Sequence, residues 1–320
     1  MTVNFRPSLD EILIEYGLDK PANIEVTPET GPVCTDKKTL SYSSKFYEPW
    51  FSMIRKANIK ITLVEIGSMF GGSLMLWEKY FPNANIVGID PAPHHEYNVP
   101  SKVHPGEITA AQYIEEAERI TFYKEDAYDK NFVDSQFKDN SCDIIIDDGP
   151  HGCMNQTYAA ELYYKKLKVG GVLVIEDIWD THRSRLYGNI RDICGYGNII
   201  SWHTCDRTRS THANIVAIQK LTNEYIEEQY ITTPLGHPPP HVQSWPSLCP
   251  VYRYSPPSSS LEGIIWSNSD RYEYTENANS WTLAERDTPC PAPSDKWSII
   301  MATALINNSL KCEFEEQHSA

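Results

Sequence analysis

Short apolar runs alternate with amphipathic segments along most of the first 220 residues. The apolar runs predict strands at about 62–67, 85–90, 120–126, 142–148 and 172–177. Apolar residues at helical spacing predict helices at about 70–81, 108–118, 153–167 and 182–194. This alternation is typical of a parallel sheet that is covered by helices on both faces.

The pattern changes at both ends of this region. Two further apolar runs, near 199–205 and 213–219, follow each other without a helix between them and predict an antiparallel hairpin. Ahead of the first strand, Ser8 and Glu11 have the spacing of a capping box and predict a short helix. The aromatic segment 42–57 also reads as helical. The predicted fold class is therefore α/β, with a Rossmann-like sheet of seven strands.

The chain changes character after about Leu221. Residues 234–257 are rich in proline, which favours extended or irregular backbone. Short β-prone pieces follow, namely GIIWS, RYEYT, WTLAER and WSIIMATALI. We therefore divide the chain into a helical and loop cap (1–58), a central domain (59–221) and a C-terminal extension (222–320). The extension is either an ordered surface segment or a small β-rich module.

Composition excludes several classes of partner. The net charge is -15, so the chain lacks the basic surface that a phosphate backbone attracts, and we expect no nucleic acid. No run of about 18 apolar residues is present, so we expect no membrane span. The N-terminus has no long apolar segment of a signal peptide. The eight cysteines are scattered without a C-x-x-C pair, which favours reduced thiols and a cytoplasmic location.

A glycine-rich turn predicts a nucleoside site. The run 61–66 leads into Gly67, a Gly71-Gly72 turn and a helix, and the next strand ends at Asp90. Glycines let backbone N–H groups approach a ligand, and an acid at that position accepts bonds from ribose hydroxyls. The third glycine of G-x-G-x-x-G and the Lys-Ser/Thr of a P-loop are missing. A nucleoside without phosphates, such as S-adenosylmethionine, therefore fits better than a dinucleotide or a triphosphate.

Acidic residues follow two of the predicted strands. Asp147, Asp148 and His151 emerge after the strand in CDIIIDDGPH, and Glu176 and Asp177 emerge after GGVLVI. Open α/β sheets bind ligands at this edge. A strand-end acid by itself is more often solvated or caps a helix, but several converging acids repel each other unless a cation neutralises them. Oxygen ligands favour Mg²⁺, Mn²⁺ or Ca²⁺ over zinc, and the adjacent histidine is a candidate general base.

Four segments together resemble a known group of enzymes, the metal-dependent sugar O-methyltransferases of the macrocin and mycinamicin type, with the related cephalosporin hydroxylase and rhamnosyl O-methyltransferase group. The matching segments are CTDKKTLSYSSKFY (34–47), VEIGSMFGGSLMLWEKYFPNANIVGID (64–90), IIIDDGPH (144–151) and LKVGGVLVIEDIWD (167–180). With their spacing they cover residues 34–220. The resemblance implies the class I methyltransferase fold, whose seven-stranded sheet also ends in a hairpin.

The resemblance implies a cofactor pocket for S-adenosylmethionine. The residues assigned to it are Glu65, Gly67, Ser68, Asp90, Asp126, Asp147, Thr35 and Lys37. Asp90 would hold the ribose, Asp126 would lie near the adenine, and the Thr35–Lys37 element would close over the cofactor.

The resemblance also implies the catalytic groups. The implied ligands of Mg²⁺ or Mn²⁺ are Asp148, Glu176 and Asp177, and His151 would act as base beside the metal-bound Asp148. Two positions depart from the group. Pro150 replaces the usual Ser or Thr before the histidine, and Cys34 replaces the glycine before Thr-Asp-Lys.

The sequence thus predicts an S-adenosylmethionine-dependent and divalent-metal-dependent O-methyltransferase. Its expected partner is a sugar or glycoside acceptor, and a homo-oligomer is left open. Three alternatives remain: a catechol-type O-methyltransferase that acts on a phenolic diol, a non-catalytic binding module of the same fold, and a composite protein whose aromatic extension binds glycan.

Overall fold

The structure is a computed structural model that describes residues 7–19, 34–93, 110–194, 199–205, 212–220, 271–275, 280–284 and 305. Its α-helices are α1 (Leu9–Glu15), α2 (Glu48–Ala57), α3 (Gly72–Tyr80), α4 (Ala110–Glu116), α5 (Lys130–Gln136), α6 (Cys153–Tyr163) and α7 (Arg183–Cys194). A π-helix spans Ser43–Tyr47, and 3₁₀ turns span Tyr164–Lys166 and Asp180–His182. The strands are β1 (Ile61–Ile66), β2 (Ala84–Ile89), β3 (Ile120–Tyr123), β4 (Cys142–Asp147), β5 (Leu167–Ile175), β6 (Ile199–Thr204), β7 (Asn214–Gln219), β8 (Arg271–Thr275) and β9 (Ser280–Ala284).

Seven strands form one sheet in the order β3-β2-β1-β4-β5-β7-β6. The first five in this order pair in parallel, whereas β7 runs antiparallel to both β5 and β6. The predicted α/β class and the hairpin that ends the sheet are both confirmed. Ile66 pairs with Asp147, and Asp147 pairs with Ile175, so the carboxyl ends of β1, β4 and β5 lie level with one another.

The core lies on the two faces of this sheet. Successive residues of β1 alternate between them, because Leu63 belongs to one apolar cluster and Val64 to the other. The N-terminal helices pack into the first cluster, where the Phe51 ring of α2 contacts both Trp50 of the same helix and Trp77 of α3. The cap therefore shares its core with the sheet, and the boundary at residue 58 stays a prediction.

Most predicted elements occur close to their expected limits. Ser8 accepts a hydrogen bond from the Glu11 N–H while the Glu11 carboxylate accepts one from the Ser8 N–H, which confirms the capping box at α1. The sequence analysis missed helix α5. This helix has seven residues, is capped by Asp129 and buries only Val133 fully, so its apolar periodicity was too weak to detect.

In the C-terminal extension, the predicted β-prone piece RYEYT forms β8, and the predicted piece WTLAER overlaps β9 (Ser280–Ala284), with which β8 pairs antiparallel. The proline-rich segment 234–257 and the GIIWS piece lie outside the described residues, and of WSIIMATALI only Leu305 lies within them. The role of residues 222–320 stays a prediction. Within the described ranges, the structure has no helix with the length and apolar character needed to cross a bilayer.

Candidate active site

Backbone hydrogen bonds bring three strand ends together. Beyond the sheet register, the Asp148 N–H donates to the Ile66 carbonyl at 2.9 Å, and the Glu176 N–H donates to the Asp147 carbonyl at 3.0 Å. The residues that follow β1, β4 and β5 are therefore held side by side at one edge. The structure thus brings the predicted strand-end acids to a common place.

Glycine is required where the first of these ends turns. Gly67 has φ of +82°, and a Cβ at this position would lie 2.2 Å from the Asp148 carbonyl oxygen. Gly72, the first residue of α3, also has no room for a side chain, since a Cβ at this position would lie 2.4 Å from the carbonyl carbon of Cys34. The segment around Cys34 thus packs directly on the N-terminus of α3, where the sequence departs from the glycine usual in the group it resembles.

Asp90 and Asp126 lie at the ends of the two strands beyond β1. Asp90 accepts a hydrogen bond from the Met69 N–H at 2.8 Å, so it pins the glycine-rich turn that follows β1. Asp126 is exposed and accepts from the Tyr128 N–H at 2.9 Å. The Ser68 hydroxyl is buried, with no hydrogen-bond partner among the described residues. Such a group fits a site that awaits a polar ligand.

Asp147 faces a different environment from its neighbour Asp148. One of its oxygens accepts from the Tyr128 hydroxyl at 2.8 Å, and the other is buried without a partner within the described part of the chain. Burial raises the pKa of Asp147 to about 7. Asp147 is thus a buried acid between the ends of β1 and β5 rather than part of the group that holds Asp148.

Asp148, His151 and Asp177 form a candidate metal group. One ligand atom from each lies within 4.8 Å of the others, and His151 Nε2 is 3.5 Å from Asp177 Oδ2. The Asp177 backbone is left-handed, with φ of +53°, and the Tyr42 hydroxyl donates to its carboxylate. Burial raises the pKa of Asp177 to about 8, and the nearby Asp148 carboxylate adds to the shift.

A buried lysine lies beside this group. Lys37 Nζ is 2.7 Å from Asp148 Oδ2, 2.6 Å from Glu176 Oε2 and 3.6 Å from Glu65 Oε1. The Lys37 side chain has no solvent exposure. Burial acts to lower the pKa of the ammonium, but the surrounding carboxylates, with that of Asp148 foremost, raise it well above its ordinary value. Lys37 is therefore a fixed positive charge within the acidic edge.

Three residues predicted for the site have partners that the sequence did not indicate. Lys37, predicted to close over the cofactor, has its ammonium buried among carboxylates that compensate its charge. Glu176, predicted to bind metal, is fully buried and accepts from Lys37 and from the Tyr47 hydroxyl, and it lies outside the group formed by Asp148, His151 and Asp177. Thr35 forms a backbone bridge to Asp19. The roles of these three residues stay predictions.

Sequence reasoning missed the two tyrosines that hold these acids. Tyr42 donates to Asp177 and Tyr47 donates to Glu176, the neighbouring residue. The π-helix 43–47 lies directly after Tyr42, and its wider i→i+5 turn brings residues five apart to the same side. In the sequence, the only indication of this pair was the five-residue spacing of the two tyrosines in SYSSKFYE. It lies within a segment that supported the resemblance.

We expect the pH dependence of stability to report these buried acids. Burial raises the pKa of Glu65 to about 7 and that of Asp177 to about 8, from ordinary values of 4.5 and 3.8. The folded state therefore holds protons that the unfolded chain releases above about pH 4–5, so stability falls as pH rises through the folded values. In denaturant titrations with a chelator present, the free energy of unfolding should fall between pH 5 and 8. A flat or rising curve would contradict this description of the site.

Comparison with known proteins gives a match in the central region. Residues 64–178 match the family model described as a methyltransferase domain. The central region is therefore similar to a methyltransferase domain. The glycine-rich turn and both acidic strand ends described above lie within the matched residues.

Named relatives agree with the resemblance seen in the sequence. The chain is 28% identical over 142 residues to a Streptomyces olivaceus 8-demethyl-8-(2-methoxy-alpha-L-rhamnosyl)-tetracenomycin-C 3'-O-methyltransferase, covering 42% of this chain and 32% of that protein. It is 26% identical over 149 residues to the mycinamicin VI 2''-O-methyltransferase of Micromonospora griseorubida, covering 45% and 33%. The chain thus matches about a third of the length of these curated relatives.

Among solved structures, the chain is similar to the MycE methyltransferase of the mycinamycin pathway in complex with Mg, SAH and mycinamycin VI. The TM-score is 0.44 at 20% identity, and the match covers 68% of this chain and 55% of that one.

Proposed function

We propose that this protein is an S-adenosylmethionine-dependent O-methyltransferase that acts on a hydroxyl of a sugar or glycoside with the help of a divalent cation. The observation that carries the proposal is the joint placement of a nucleoside-type turn and of Asp148, His151 and Asp177 at one edge of the sheet. The named relatives, which are sugar O-methyltransferases, support the choice of acceptor class.

The residues present fit S-adenosylmethionine. The turn at Gly67 has no room for a side chain, and the nearby Ser68 hydroxyl lacks a partner among the described residues. Asp90 uses its oxygens to hold the Met69 and Ala92 N–H groups, and each oxygen keeps a second lone pair for a ribose hydroxyl. Asp126, beyond β3, fits the adenine end of the same site.

The residues present also fit a hard divalent cation. Asp148 and Asp177 offer carboxylate oxygens next to each other, which is the ligand type that Mg²⁺ and Mn²⁺ prefer. The third predicted ligand, Glu176, contacts the same Lys37 ammonium as Asp148. We retain Glu176 as a proposed ligand, because only the Lys37 ammonium, among the described residues, lies between its carboxylate and that of Asp148. A bound cation would lower the pKa of the acceptor hydroxyl.

The protein's own groups would position and deprotonate the acceptor. His151 is 38% exposed, so its imidazole is open to a ligand at the edge of the sheet, and Asp177 Oδ2 lies 3.5 Å from Nε2. This carboxylate would hold the orientation of the imidazole ring. His151 would therefore take the proton of the acceptor hydroxyl while the hydroxyl oxygen attacks the methyl carbon of S-adenosylmethionine. The fixed acids would keep this oxygen in line with the carbon–sulfur bond, which breaks as S-adenosylhomocysteine leaves.

The cofactor site is tested by calorimetric titration of S-adenosylmethionine. We expect Asp90→Ala to weaken binding at least about tenfold, since it removes ribose contacts and frees the turn at Met69. NAD should not bind to either protein. Unchanged affinity in the variant would remove Asp90 from the cofactor site.

The base is tested at His151. We expect His151→Ala to lower kcat by about 10²–10⁴-fold, the usual contribution of a general base, with little change in the KM for the cofactor. A variant with near-normal kcat at neutral pH would show that His151 is structural, and the carboxylates or water would then take the proton.

A further inference from the structure

A pair of aromatic rings lies beside the acidic edge and is not used by the proposed chemistry. Trp179 follows Asp177 by two residues and is 44% exposed. Its ring centroid is 4.9 Å from that of the His212 imidazole, with the two planes at 45°. By contrast, Trp50 and Trp77 are fully buried in the core. A large exposed ring costs hydrophobic free energy, so it often marks a binding surface.

The ring pair is tied to the candidate metal group. Tyr42, whose hydroxyl donates to Asp177, has that same oxygen 3.4 Å from the His212 carbonyl oxygen. The Tyr42 hydroxyl therefore lies between the His212 carbonyl and Asp177, which is a proposed metal ligand. A molecule that lies on these rings would have its edge near Asp177 and His151.

The backbone beneath the rings is held on both sides. The Ile178 N–H donates to the Asn214 carbonyl at 3.1 Å, and the Asn214 amide donates back to the Ile178 carbonyl at 2.6 Å. On the other side, the His182 N–H donates to the Trp179 carbonyl at 2.8 Å. The Trp179 ring is thus presented from a fixed backbone, which lowers the entropy cost of binding.

The sheet order separates this surface from the cofactor. Asp90 and Asp126 follow β2 and β3, on one side of β1, whereas Trp179 and His212 adjoin β5 and β7 on the other. Adenine therefore belongs to the opposite half of the edge.

We propose that Trp179, with His212 beside it, is a stacking platform for the pyranose ring of the acceptor and determines which hydroxyl reaches the catalytic groups. This inference rests on the proposed function. The apolar C–H face of a sugar packs on an aromatic ring, while its edge hydroxyls stay free to face Asp148 and Asp177. Stacking restricts the height and tilt of the sugar, so it selects one edge hydroxyl for reaction.

The test compares Trp179→Ala and Trp179→Phe with the wild type on a panel of methyl glycosides that includes methyl α-L-rhamnopyranoside. Trp179→Ala should raise the KM of the sugar at least about tenfold. Trp179→Phe should have a KM much closer to that of the wild type, since this variant keeps an aromatic ring. The Kd values for S-adenosylmethionine and Mn²⁺ should stay within about twofold in both variants. Tyr158→Ala is the matched control, because Tyr158 is an exposed aromatic of α6 (37%). We expect wild-type kinetics from it.

The outcomes separate the two proposals. Saturation-transfer NMR with S-adenosylhomocysteine present should show the sugar C–H protons of one face close to protein in the wild type and not in Trp179→Ala. If the wild type methylates a glycoside and Trp179→Ala has the same KM and the same product, the platform is wrong and the proposed function stands. If no glycoside binds or reacts, the proposed function itself fails, and the platform fails with it.

Discussion

Asp177→Asn is expected to abolish methyl transfer while the protein still folds and binds S-adenosylmethionine. Asparagine tolerates the left-handed backbone at this position, where φ is +53°, and its side-chain oxygen still accepts from Tyr42. The change therefore removes the carboxylate that a cation would bind, and little else. Because a cation supplies several kcal/mol of transition-state stabilisation, kcat should fall by about 10³-fold or more.

Metal affinity gives this prediction a second measurement. Mn²⁺ titration followed by electron paramagnetic resonance should show binding weakened by at least about 100-fold in Asp177→Asn, as expected for a lost ligand. The control is Glu161→Gln, which also removes an acid but at an exposed position of α6. Normal Mn²⁺ affinity together with lost activity would show that Asp177 acts on the reaction without binding metal.

Lys37→Met is expected to destabilise the protein by about 3–5 kcal/mol, because it leaves buried carboxylates without their counter-charge. Lys37 has no solvent exposure, and neither do its partners Glu65 and Glu176. The loss should be greater at pH 8 than at pH 5, since the acids can take up protons at lower pH and so remove the uncompensated charge. Chemical denaturation at both pH values measures this.

The neighbouring lysine provides the matched control. Lys38 pairs with Asp19 at 2.7 Å, but these two side chains are 32% and 29% exposed. Lys38→Met should therefore cost less than about 1 kcal/mol, with little dependence on pH. Equal losses in the two variants would contradict the assignment of Lys37 as the internal cation of the site. Partial rescue of Lys37→Met by Mn²⁺ would support competition between the ammonium and metal for Asp148 and Glu176.

The strand ends could be predicted from the sequence because local patterns determine them. The apolar runs before Gly67, Asp148 and Glu176 are each long enough to define a strand, and parallel pairing brings their carboxyl ends to one edge. The acids that follow then meet without any further information. Helix α5 was not predicted, because only one of its residues is fully buried and its apolar pattern is therefore weak.

Contacts between distant segments could not be predicted in the same way. Lys37 meets Glu176 across 139 positions of the chain, and Tyr42 meets Asp177 across 135. No periodicity encodes such pairs, because they depend on how the N-terminal cap packs across the sheet. The sequence predicted a role for the Thr35–Lys37 element but did not indicate its contacts with the acids at the sheet edge. The structure shows that this segment supplies internal donors to the acidic edge.

The most direct test of the account is the transfer of an isotopically labelled methyl group. The protein is incubated with S-adenosylmethionine labelled in its methyl group, a panel of glycosides and a catechol, with Mg²⁺ or with a chelator, and the products are identified by mass spectrometry. The account predicts one labelled methyl on a sugar hydroxyl, formed only with Mg²⁺ or Mn²⁺. Labelling of the catechol alone, or undiminished transfer to a glycoside by protein shown to be metal-free, would contradict it.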